Sequence, residues 1–148
     1  SIRRQRQMCL RDRNKTSTVE YLGELRTKLT HIESGNNIFT DAPKDNEGKG
    51  EAFAPTDLVA TALASCMISI MGIKARKNNI DIVGTKAEII KVMRSNPRSI
   101  SRIEIEITLP KIYSEKNKKI LERAAITCPV GKSLHEDIKQ EIIFKYSE

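Results

Sequence analysis

The sequence predicts an α+β domain, a sheet with its helices gathered to one side. Three observations carry that prediction. Ile103, Ile105, Ile107 and Leu109 alternate with Arg102, Glu104, Glu106 and Thr108, the pattern of a half-buried strand. Leu58 to Ile73 is a run of sixteen residues without a charge, read as a buried central helix. Residues 115–128 give a second helix, capped by Ser114, with Ile120, Ala124 and Cys128 in one row and Leu121 and Ala125 beside it. A chain of 148 residues is the size of one ordinary domain. Such a domain buries roughly 68–70% of its unfolded surface, enough for a core without disulfide or metal staples.

The remaining elements follow in chain order. Thr16 to Leu29 reads as one alternating strand, with Val19, Tyr21, Leu25 and Leu29 on one face and Glu20, Glu24, Arg26 and Lys28 on the other. Ser34-Gly35-Asn36-Asn37 is turn chemistry and Ile38 to Thr40 a short return strand. Residues 41–54, with Pro43, Gly48 and Gly50, form a loop. Pro55 and Asp57 open the central helix, while Lys74, Arg76 and Lys77 complement its C-terminal dipole and Asn78-Asn79 end it. On that helix Cys66 lies in the row Leu58, Ala62, Cys66, Ile70. Residues 80–93, with Gly84, read as a strand, Pro129 and Gly131 end the second helix, and Gln140 to Tyr146 is the closing strand.

Composition narrows the function classes. The formal charge is +7, but Arg3, Arg4, Arg6, Arg11, Arg13 and Lys15 face only Asp12 within residues 1–15. That arm carries +5 and the domain 16–148 only +2. The arm reads as a disordered or non-native appendage without a catalytic part. Trp is absent and aromatics make up 4%, which leaves few side chains for stacking on bases, so no nucleic-acid partner is expected for the domain. Sixteen uncharged residues, rich in Ala, Ser and Thr, fall short of the ~20 apolar residues of a membrane span, and no membrane partner is expected. The arm has no secretory apolar run; the expected compartment is the cytoplasm.

Cys9 belongs to the arm, and Cys66 and Cys128 each sit in apolar context. No C-x-x-C pair is present, and His31 and His135 lie at spacings that define no metal site, so neither metal nor organic cofactor is expected. Gly48-Lys49-Gly50 lacks the spacing of a phosphate loop. The cysteines have two readings: small core hydrophobes, or redox thiols. A helix N-terminus cannot by itself activate Cys66, which lies ten residues past Thr56, roughly 15 Å along the axis. A cation from elsewhere is required.

The stretch Ala54 to Met67 (APTDLVATALASCM) together with Thr127 to Leu134 (TCPVGKSL) resembles the osmotically inducible protein C/organic hydroperoxide resistance (OsmC/Ohr) family. The resemblance extends over about residues 16–146, in the order of early strands, Gly-rich loop, central Cys helix and Cys-Pro-Val. It implies antiparallel sheets around a long buried central helix carrying Cys66, a second helix ending at Cys128, and an interlocked homodimer. It further implies a peroxidase in which Cys66 attacks an organic hydroperoxide and becomes a sulfenic acid. Cys128 then resolves it as a disulfide, which a dithiol such as a lipoylated protein reduces. Arg26 is the residue matching the family's thiolate-holding arginine. Thr56 stands where the peroxidase members carry the glutamate that orients that arginine. Asp57 points about 100° around the helix from that position, and Glu51 in the preceding loop is a second candidate carboxylate. The alternative is an OsmC-like dimer that binds a small apolar ligand without peroxidase turnover.

Overall fold

The computed structural model describes residues 14–147, in two compact units that meet in sequence at Pro55–Thr56. Most of the basic arm, Cys9 included, lies outside the described residues.

The first unit is a three-stranded antiparallel meander of β1 (Ser17–Gly23), β2 (Arg26–His31) and β3 (Asn37–Asp41). The strand expected over 16–29 is therefore a hairpin. Glu24 and Leu25 both take left-handed backbone (φ 54° and 63°), as a two-residue type I′ turn requires, and Gly23 precedes them at φ 89°. The polar/apolar alternation continues through this turn, which is why the periodicity runs on unbroken. Val19, Leu29 and Ile38 form one cross-strand row. After β3 a 3-10 turn (Lys44–Asn46) leads into a loop folded on Ala42. A Cβ at Gly48 would lie 1.8 Å from the Ala42 carbonyl oxygen, and Gly50 donates its N–H to that same oxygen (3.2 Å). Lys49 pairs with Glu24 of the hairpin turn, and Thr40 bridges to Phe53.

The second unit contains α1 (Pro55–Lys77), β4 (Lys86–Arg94), β5 (Ser99–Leu109), α2 (Glu115–Ala125), α3 (Pro129–Ser133) and β6 (Lys139–Tyr146). β4 pairs antiparallel and β6 parallel with β5, so this sheet is mixed rather than antiparallel throughout, and the described residues form two three-stranded sheets instead of one. Alternation reports burial but not direction, so the sequence carries no sign of the parallel pairing.

Ile103, Ile105, Ile107 and Leu109 are all buried, as their spacing predicts. They share one core with Leu63, Met67 and Met71 of α1 and Leu121 of α2. α1 is long and apolar enough to cross a membrane by length and composition, but its row Ala60, Leu63, Ala64, Met67, Met71 and Ala75 is buried in the fold. Residues 80–85 turn before β4 begins: Ile80 caps the helix end, its N–H bonding to the Ala75 carbonyl, and Gly84 sits at φ 99°. α2 starts where expected, with the Ser114 hydroxyl accepting from the Asn117 N–H, but it ends at Ala125. Cys128 is thus not the last residue of α2; it caps α3, whose first residue is Pro129. A proline is well placed at a helix start, and here it opens a helix instead of closing one.

Candidate functional site

Cys66 stands halfway along α1, next to the buried Met67, and is itself half-buried. Cys128 is buried, and its Sγ accepts the Gly131 N–H at 3.3 Å as the α3 cap. Both are thiols, and they are close enough for the Cys66 thiol to raise the pKa of Cys128. Burial is the larger cause of that upward shift, opposed in part by the Gly131 and Val130 N–H groups. Cys128 is therefore protonated at neutral pH. Gly131 is tightly packed in the same turn. A Cβ there would fall 3.3 Å from the Cys128 Sγ, 3.4 Å from Leu63 Cδ1 and 3.0 Å from Gln140 Oε1. Gln140 holds the turn by donating to the Gly131 carbonyl (3.0 Å).

In the first unit, Arg26 opens β2 and meets Asp41 across the ladder. Nε donates to Oδ1 and Nη2 to Oδ2, each at 2.8 Å, and Nη2 also reaches Glu51 Oε2 at 3.2 Å. The Glu51 N–H donates to Asp41 Oδ2 (3.0 Å). Asp41 is fully buried, and the Arg26 hydrogen bonds hold its carboxyl below the usual carboxylate range, against the opposing effect of burial. Asp41 in turn raises the Arg26 pKa. Sequence reasoning found Glu51 and missed Asp41, which reads as the first residue of a loop. Only the register of β2 on β3 places it opposite Arg26.

At the start of α1, Lys91 of β4 donates to Thr56 Oγ1 (2.8 Å) and pairs with Asp57 Oδ1 (2.7 Å). Thus Glu51 and Arg26 meet in one unit, Cys66 and Cys128 in the other, and Asp57 is engaged by Lys91. His31 Nδ1 bonds the Ser34 hydroxyl, and His135 Nδ1 accepts the Asp137 N–H. Among the described residues no three His, Cys, Asp or Glu side chains converge on a common point.

The fold and the thiol pair define a class, an α+β protein with one cysteine on a long central helix and a second capping a short one. Residues 48–142 match the family model described as OsmC-like protein. The chain belongs to that family. A crystal structure from Psychrobacter arcticus 273-4 is 54% identical and superposes with a TM-score of 0.87, covering 90% of this chain and 97% of its own. That protein is named, provisionally, as an osmotic stress induced and detoxification response protein. An OsmC-like protein from Mycoplasma pneumoniae shares the fold at 16% identity and TM-score 0.76, over 93% of this chain and 99% of the other. An organic hydroperoxide resistance protein OsmC from Legionella pneumophila does so at 13% and 0.70, over 90% and 99%. Comparison with curated proteins gave no match.

Proposed function

We propose that the protein is a thiol-dependent peroxidase that reduces organic hydroperoxides in oxidative-stress defence. The observation that carries this reading is the juxtaposition of Cys66 and Cys128, one half-buried and the other sealed and protonated. Family membership and the hydroperoxide resistance name of the Legionella structure support it. In the proposed cycle the Cys66 thiolate attacks the distal oxygen of ROOH. The O–O bond breaks, the alkoxide takes a proton and leaves as ROH, and Cys66 becomes a sulfenic acid. The Cys128 sulfur then attacks the Cys66 sulfur, losing its proton as water departs and a disulfide forms. An external dithiol, such as a lipoylated protein, reduces that disulfide to two thiols by exchange. Arg26 keeps the role the resemblance gives it, favouring the thiolate, and in this chain Asp41 and Glu51 fix its guanidinium.

The working unit is proposed as a homodimer in the reducing cytoplasm. Val19, Tyr21 and Ile38 on one sheet and Ile90 and Ile143 on the other are exposed large apolar side chains, the kind of surface that association covers. The test is to treat reduced protein with stoichiometric cumene hydroperoxide and follow thiol loss and intact mass. A Cys66–Cys128 disulfide in the wild type, and a trapped sulfenic acid in Cys128→Ser, are the expected results. Unreacted thiols in the wild type sink the peroxidase reading and leave the ligand-binding alternative.

A further inference from the structure

A groove of about 630 Å³ opens between the C-terminal half of α1 and the length of α2. Its floor is apolar, with Ile70 and Ile73 from one helix and Ile120 and Ala124 from the other. Its rim is cationic: Lys74 and Lys77 on α1, Lys116, Lys119 and Arg123 on α2. No acid lines it. The two acids of α2 are used elsewhere, Glu115 by Lys118 and Glu122 by the Tyr146 hydroxyl. Among the described residues no carboxylate pairs with any of the five cations. Both helices place apolar and basic residues at helical spacing on the facing stripe, 70, 73, 74, 77 and 116, 119, 120, 123.

From this juxtaposition we infer that the groove binds a single-chain anionic amphiphile, its alkyl tail on the isoleucines and its head group among the lysines. The volume lies in the range of small-molecule sites, and the stripe on α1 from Ile70 to Lys77 is about 10 Å long at 1.5 Å per residue. Five like charges around one cleft repel one another, and an anion relieves that repulsion. A base-stacking polymer is disfavoured because no aromatic residue lines the cleft. A bilayer is disfavoured because the apolar surface is concave. The inference is independent of thiol chemistry.

The test is calorimetric titration of the full chain with decanoate below its micelle concentration, using octyl glucoside as the uncharged control. Saturable decanoate binding is expected, weakened about tenfold or more in Lys74→Glu/Lys119→Glu and again in Ile73→Asp. It should weaken with added salt and be unchanged in Cys66→Ser/Cys128→Ser. All the substituted lysines and Ile73 are exposed, so circular dichroism should show the variants folded. Absence of saturable decanoate binding overturns the inference, including the case in which sizing shows a second copy covering the groove. So does equal binding of octyl glucoside, or co-sedimentation with phosphatidylglycerol vesicles that exceeds decanoate binding and survives Ile73→Asp. Loss of peroxide turnover in the cysteine variants, with decanoate binding intact, separates this inference from the peroxidase reading.

Discussion

Asp41 lies directly across the β2–β3 ladder from Arg26, and its two carboxylate oxygens take the guanidinium in a bidentate grip at 2.8 Å. Glu51, two-thirds exposed, adds a single longer contact. The buried carboxylate is therefore the one that fixes the arginine. Asp41→Asn should lower the melting temperature of the full chain clearly more than Glu51→Gln, because it leaves a guanidinium bonded to a neutral amide. Thermal unfolding of the two variants side by side measures the difference, and an equal or reversed ranking contradicts it.

The same pair sets an acid limit. Arg26 lowers the native pKa of Asp41, so at acid pH the unfolded chain takes up a proton before the folded one does. The stabilisation is whole above the unfolded value of about 3.9 and is lost as pH falls through the lowered native value. Denaturant midpoints of wild type and Asp41→Asn should be well separated at pH 7 and draw together as the pH falls below the unfolded carboxylate value and through the lowered native one. A gap that widens on acidification contradicts the assignment.

The two thiols should differ in reactivity before any peroxide is added. Burial and the neighbouring Cys66 raise the Cys128 pKa, so at pH 7.5 it should alkylate with iodoacetamide roughly tenfold or more slowly than Cys66. Peptide mapping after timed quenching reads both rates in one sample. Unfolding should abolish the contrast.

Gly131→Ala tests how closely the thiol turn is packed. The added methyl meets the flexible Gln140 amide first, then Cys128 Sγ at a crowded 3.3 Å and Leu63 Cδ1 at the edge of ordinary contact, 3.4 Å. A loss of about 1 kcal/mol is expected, with slower disulfide formation after peroxide treatment. Unchanged stability together with an unchanged disulfide rate would mean that the turn yields freely.

How much of this was legible in the sequence depended on whether a signal was local. The central helix runs from Pro55 to Lys77 because its proline, its charge-free run and its terminal cations all lie within one segment. The β5 alternation is equally local. The β1–β2 turn was hidden because Glu24 and Leu25 are not turn residues by type, and Gly23 was the one cue. Cys128 keeps helical spacing with Ile120 and Ala124, so periodicity carried α2 three residues past its true end at Ala125. The pairing of Cys66 and Cys128 came from resemblance, and only the folded chain brings the two thiols into each other's influence. Asp41 was beyond reach, since its partner lies fifteen residues away and the match depends on strand register.

The close approach of Gly48 to Ala42 bears on how this protein could be re-engineered. With a Cβ colliding with backbone oxygen and carbon, a saturation library at position 48 should return glycine almost alone. The exposed stretch 44–46, on the outside of the same fold-back, should accept wider diversity, while Glu47, at φ 67°, should favour glycine or asparagine. Evolution around Arg26 would then proceed by changing what the loop displays, with its closure point held constant.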